Sequence, residues 1–137
     1  MIEYKQTHNF TPTQLQQLFQ SVQWASADYP NKLVKAMQAY ETVISAWDNG
    51  QLIGLVSAMD DSVMTAYVHY VLVRPEYQGK GVGRKMMEML KEHYANYLRI
   101  VLCAYNKQLE FYKHIGFRPE ENETVMFITE LKDTDLA

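Results

Sequence analysis

The stretch Gln78-Gly79-Lys80-Gly81-Val82-Gly83-Arg84-Lys85 places three glycines at every second position, immediately ahead of a helix-patterned segment. Glycine at that density is costly unless the backbone must adopt unusual angles or lie close to a bound group. The first turn of a helix presents unpaired N–H groups and partial positive charge, and phosphate is the guest that suits it. Lys80, Arg84 and Lys85 would then add countercharge, or they are solvated surface charges. Two familiar phosphate loops fail on spacing. A Walker A loop needs Ser or Thr after its Gly-Lys pair, whereas Gly79-Lys80 is followed by Gly81. The dinucleotide fingerprint needs its third glycine three positions after its second, whereas Gly83 comes two after Gly81. A loop without a ligand is disfavoured by what flanks it: a β-branched strand, Pro75, Tyr77 and then a well-patterned helix.

The elements that must hold this turn are legible on both sides of it. Residues 2–5 alternate like a short strand, and Thr11-Pro12-Thr13-Gln14 carries a cap, a first-turn proline and a capping-box glutamine. A helix over about 12–22 follows, with Leu15, Leu18, Phe19 and Val22 on one stripe. Pro30-Asn31 starts a second helix bearing Leu33, Val34, Met37 and Tyr40, and the short connector between the two contains Trp24 and Tyr29. Residues 42–47 and 51–56 flank Asp48-Asn49-Gly50, a strong hairpin signal. A turn at Asp60-Asp61-Ser62 leads into a β-rich run over 63–73. The pattern then changes to a helix over 81–94, a strand over 98–104, a short helix over 109–114 and a final strand over about 124–131. Strand, helix, strand demands a parallel pair with a right-handed crossover. The expected fold is therefore α/β (α+β): a mixed, mostly antiparallel central sheet of about six strands flanked by about four helices.

Composition bounds the function classes. A length of 137 residues, with no repeat or linker-like tract, predicts a single domain over 1–137. The formal net charge of −3 provides no broad basic field, which disfavours a nucleic-acid partner. No apolar run approaches the roughly 18 residues of a membrane span, and residues 1–5 lack secretory organisation. The reading is a soluble, cytoplasmic protein with no membrane partner. Cys103 is the one cysteine, so neither an internal disulfide nor a multi-cysteine metal site can form, and no metal is expected. Its place beside Ile100-Val101-Leu102 reads as a buried, inert thiol.

Val73-x-Pro75-x-x-Gln78-Gly79-x-Gly81-x-Gly83 resembles motif A of the GNAT acetyltransferases. Downstream, Asn106 followed by Phe111-Tyr112-Lys113-x-x-Gly116-Phe117 resembles the next motif of that family, after the expected strand. The likeness extends to the leading helices, the hairpin and the last strand, and so across nearly the whole chain. It implies acetyl-CoA as co-substrate, an amine as acceptor, and direct attack in a ternary complex. The pyrophosphate would be held by main-chain N–H groups of Gln78, Gly79, Lys80, Gly81, Val82, Gly83 and Arg84. The strand ahead of the loop would splay from its parallel neighbour, letting the pantetheine arm pair near Val71, Leu72 and Val73. Asn106 matches a position that bonds the cofactor arm, and it also reads as a helix N-cap.

Tyr112 matches the family tyrosine that returns a proton to the departing thiolate, a role suited to a phenol protonated at neutral pH, though the ring could also simply pack in the core. An N–H near Val71 corresponds to the usual oxyanion donor. Tyr67 and His69 alternate with Val71, so the three are expected on one strand face, and arylalkylamine-type members carry histidines at matching positions. His69 is therefore either the general base, directly or through water, or a packed structural residue. Trp24, Asp28, Tyr29 and Tyr67 could wall an acceptor pocket, with Asp28 drawing an ammonium, or they close the core and a turn. The acceptor expected is a small-molecule primary amine. Two other readings share these motifs: an acyl-CoA-binding sensor that transfers nothing, and a peptide or protein N-terminal acetylase. Relatives often pair as dimers, which leaves a homodimer open.

Overall fold

The computed structural model describes residues 1–133 and residue 135. Its elements run β1 (Ile2–Lys5), α1 (Pro12–Ser21), a 3-10 turn (Ala25–Asp28), α2 (Pro30–Ala39), β2 (Thr42–Asp48), β3 (Gln51–Asp60) and β4 (Thr65–Val73). There follow a 3-10 turn (Pro75–Tyr77), α3 (Val82–His93), β5 (Arg99–Leu102), a 3-10 turn (Asn106–Gln108) and α4 (Leu109–Ile115). The strands form one sheet in sequence order, antiparallel from β1 to β4 and parallel between β4 and β5.

Local chemistry sets the boundaries. Thr11 caps α1 with the expected box: its hydroxyl accepts from the Gln14 N–H at 3.1 Å, and the Gln14 side chain accepts from the Thr11 N–H at 2.9 Å. Pro12 and Pro30 open α1 and α2, where a missing N–H costs nothing. At the end of β3, the Asp61 carboxylate gathers the N–H groups of Val63, Met64 and Thr65, which turns the chain into β4. Those bonds hold its carboxyl down to about 2.

The sheet separates two cores. On one face α1 and α2 press Leu15, Leu18, Phe19, Leu33 and Met37 against Val43, Trp47, Leu55, Tyr70 and Leu72. On the other, α3 and α4 press Val82, Met86, Met87, Leu90, Tyr112 and Ile115 against Ile44, Ile53, Val56, Val68, Val71 and Val73. Both helix pairs are thereby fixed against the strand that leads into the glycine turn.

Three expectations are corrected. Among the described residues the sheet has five strands, not about six: residues 124–131 form no ladder, and Met126 and Ile128 are 86% and 108% exposed. A strand is realised by pairing as well as by composition, and this β-prone stretch lies against no edge. The thiol of Cys103 is half-buried, not sealed in the core, because the strand carrying it stops at Leu102.

The third correction concerns Val71, which does not share a face with Tyr67 and His69. The β3–β4 register passes from Ala58 opposite Val68 to Val56 opposite Val71, so Ser57 alone faces both His69 and Tyr70. That β-bulge shifts the alternation by one residue. Ala66 and Val68 face α3 before it, and Val71 and Val73 do so after it.

Candidate active site

The β4–β5 ladder pairs Thr65 through Val68 with Arg99 through Leu102 and ends there. β4 continues to Val73 while β5 stops, and the two chains part into a cleft of about 1080 Å³. Val71, Leu72 and Val73 line one side; Tyr105, Lys107, Phe111 and Tyr112 line the other. Gly79, Gly81 and Gly83 of the glycine turn also line it, as does Trp24 from the connector between α1 and α2. Parting strands leave unpaired backbone exactly where an extended arm could add itself to β4.

The turn is anchored to the sheet. The Gln78 side chain donates to the Val73 carbonyl at 2.9 Å, and Arg74 donates from its backbone N–H to Ile53 and from Nε to the Leu52 carbonyl. Gly81 is the N-cap of α3 at φ +85°, and among the described residues no side chain caps the helix. Gly79 shares the left-handed backbone at φ +76°, and a Cβ built on either glycine would meet no heavy atom of the described residues within 4 Å. The turn thus combines a backbone that other residues resist, open space above it, and uncapped N–H groups at the start of α3. These features fit a pyrophosphate. Gly83 differs: its Cβ would approach Phe111 Cζ at 3.3 Å, so its smallness serves the packing of α3 on α4.

The countercharges divide. Arg84 lines the cleft but turns its Nε to Glu88 at 3.0 Å. Lys80 lies outside the lining, with Nζ 5.7 Å from the Tyr77 ring centre. Lys107 lines the cleft, 6.0 Å from the Tyr105 ring centre, and was not singled out by sequence. Asn106 stands between two lining residues without lining the cleft itself. Nor does it cap a helix, since the N-caps of its 3-10 turn and of α4 are Tyr105 and Gln108.

Tyr112 is 4% exposed, with its ring 4.9 Å from Phe111 and 5.9 Å from Phe117. Among the described residues its hydroxyl has no hydrogen-bond partner, yet it is not a buried orphan, and Tyr112 lines the cleft. Burial pushes the phenol well above its usual value, which keeps the proton in place at neutral pH.

His69 does not line the cleft. Its ring stacks on Tyr70 at 4.2 Å and lies 5.9 Å from Tyr67, and its Nδ1 shares a hydrogen with the Tyr40 hydroxyl. Burial lowers the imidazole from its ordinary value, and the Asp135 carboxylate opposes that shift in part. Nε2 can accept a proton only in the tautomer whose Nδ1–H donates to Tyr40. Burial pushes the Tyr40 phenol up, so its hydroxyl keeps its proton, and a hydrogen bond from Ser57 opposes that shift in part. Tyr40 was legible only as part of a helix stripe. The bulge that stacks His69 on Tyr70 had no sequence signal.

Among the acceptor candidates, Trp24 lines the cleft, 6.3 Å from both Tyr70 and Tyr105. Asp28 lies outside it with Lys132 Nζ at 3.9 Å, and Tyr29 is 42% exposed. Tyr67 sits behind His69, its phenol pushed up to about 12 by burial and by neighbouring Cys103. Asp133, which no sequence pattern marked, contributes to the lining.

A family model described as an acetyltransferase (GNAT) domain matches residues 7–127. An uncharacterized N-acetyltransferase ycf52 of Pyropia yezoensis is 30% identical over 128 residues, covering 85% of this chain and 72% of the relative. The corresponding protein of Gracilaria tenuistipitata var. liui is 28% identical over 108 residues, covering 75% of this chain and 59% of its own length. The chain therefore spans about three fifths to three quarters of these relatives. A protein of unknown function from meticillin-resistant Staphylococcus aureus, titled a probable acetyltransferase, superposes with a TM-score of 0.83 at 20% identity, covering 94% of this chain and 99% of that one.

Proposed function

The chain belongs to the GNAT acetyltransferase family, and from that premise we propose that it transfers the acetyl group of acetyl-CoA to a primary amine of a small molecule within a ternary complex. One observation carries this reading: the uncapped start of α3 and Tyr112 line the same cleft.

Acetyl-CoA, when bound, supplies the acetyl group as an activated thioester. The backbone from Gln78 to Arg84 holds its pyrophosphate, and the freed edge of β4 at Val71–Val73 orients its arm along the cleft. Lys107 adds positive charge to the opposite wall. Tyr112, kept protonated by burial, gives its proton to the departing sulfur. The amine must lose a proton to attack. His69, standing behind Tyr70, takes it through water at Nε2, while Tyr40 fixes the ring from Nδ1. The acceptor enters at the Trp24 end, where Asp133 offers an ammonium a carboxylate. A net charge of −3 with no basic stripe suits a small cation better than a nucleic acid.

The test is a panel of primary amines, polyamines, aminoglycosides, amino acids and peptides incubated with acetyl-CoA, followed by released thiol and by the mass of the product. Transfer to a small amine, with a gain of about 42 Da per acetyl group as one N–H hydrogen is replaced by C2H3O and leaves on the thiol, is the expected result. Stabilisation by acetyl-CoA without thiol release on any amine would overturn transfer and leave a binding module.

A further inference from the structure

At the acceptor end of the cleft, the connector between α1 and α2 is held by a residue more than a hundred positions away. The Asp135 carboxylate is 1% exposed and accepts from the Ala25 N–H at 3.1 Å and from the Ser26 N–H at 2.5 Å. These are the leading N–H groups of the 3-10 turn Ala25–Asp28, whose own N-cap residue, Trp24, provides no side-chain bond. A carboxylate buried to that degree is unfavourable unless hydrogen-bonded, and two N–H donors supply what it needs.

What the capped turn positions is the acceptor end of the site. Ser26 Oγ bonds the Tyr70 hydroxyl at 3.1 Å, and Tyr70 carries the stacked ring of His69. Trp24, just ahead of the turn, lines the cleft, as does Asp133, two residues before Asp135. The groups facing His69 are Tyr40 from the end of α2, Tyr67 and Tyr70 from β4, and Asp135. The first three are phenols, so Asp135 is the member of that set that brings negative charge.

We propose that Asp135 is a positioning residue for the acceptor half of the reaction: by capping the 3-10 turn Ala25–Asp28 it fixes the Trp24 wall and the Ser26–Tyr70–His69 stack, and its carboxylate draws the cationic amine to that end. Residues 133 and 135 are on this account part of the acceptor site and not of the cofactor site. The inference rests on the acetyl-transfer reading and deepens it.

The test is Asp135→Asn, which keeps the shape and one acceptor oxygen but removes the charge. With an amine that the wild-type protein acetylates, the amine KM rises roughly tenfold, as loss of a nearby charge predicts, while the acetyl-CoA KM stays within twofold. An amine KM that does not move, or one that rises in step with the acetyl-CoA KM, overturns the proposal. A second readout does not depend on turnover: titration of His69 by NMR. The Asp135→Asn variant titrates at lower pH than wild type, because the charge favouring the imidazolium is gone; an unchanged titration overturns the electrostatic link. If no amine is a substrate, the transfer reading fails and the titration still decides the role of Asp135. Should Asp135→Asn not fold, Asp135→Ser, which keeps a cap oxygen without charge, yields the same measurements.

Discussion

Replacing Gly81 by Ala separates the backbone role of the turn from its ligand role. Gly81 stands at φ +85°, and a Cβ there would touch no atom of the described residues within 4 Å, so it meets no clash with them. The cost is conformational: holding an L-residue left-handed disfavours the native state by about 1–2 kcal/mol. For a chain of 137 residues that lowers Tm by about 3–8 °C. The ligand effect is separate, because the new methyl points into the open space in which a phosphate would sit. Acetyl-CoA at a hundred times its Kd stabilises wild type by about 2.7 kcal/mol, or about 8–11 °C in Tm. Thermal melts of both proteins, with and without acetyl-CoA, therefore give two numbers. The variant melts a few degrees lower when free and loses most of the ligand-induced rise. A folded Gly81→Ala protein that keeps the full rise would refute the phosphate assignment.

Tyr112→Phe lowers kcat by about 10²-fold or more through loss of the proton donor, with acetyl-CoA affinity unchanged in a binding titration; equal turnover removes Tyr112 from the mechanism. His69 titrates below its unfolded value near 6.5. It is therefore neutral in both states above that pH, and below it the unfolded chain takes up a proton that the folded chain refuses. The stability contributed by neutral His69 is lost as pH falls from about 6.5 through the lower folded value. Urea unfolding between pH 7 and 5 should show this slope, and His69→Gln should flatten it. Gly54→Ala builds a Cβ 2.9 Å from Met86 Cε and 3.4 Å from the Leu72 carbonyl. Its cost is about 1–3 kcal/mol in chemical denaturation, from overpacking against α3.

The order and type of the elements were legible because each carries a local signal: the Thr11–Gln14 box, the prolines opening two helices, and the Asn49-Gly50 turn. The glycine turn was legible for the same reason, since left-handed backbone at Gly79 and Gly81 leaves few residue choices. What sequence did not show depends on pairing across long separations. Alternation at Tyr67, His69 and Val71 looked unbroken because a bulge is a property of two strands. Residues 124–131 read as a strand because composition cannot reveal whether an edge is at hand. The bonds from Tyr40 to His69 and from Asp135 to Ala25 and Ser26 join distant segments through residues whose types have other common uses. The acceptor end was accordingly the less legible half: Trp24 lies in the cleft, while Asp28, Tyr29 and Tyr67 do not line it.

The central claim is that the start of α3 holds the pyrophosphate of acetyl-CoA through its backbone. Amide NMR of the 15N-labelled protein, titrated with acetyl-CoA, reads those N–H groups one by one. The account predicts that the largest shifts fall on Gly79, Gly81, Val82, Gly83 and Arg84, with a second set along Val71 to Val73. Saturable binding that leaves the glycine-turn amides unmoved would contradict it.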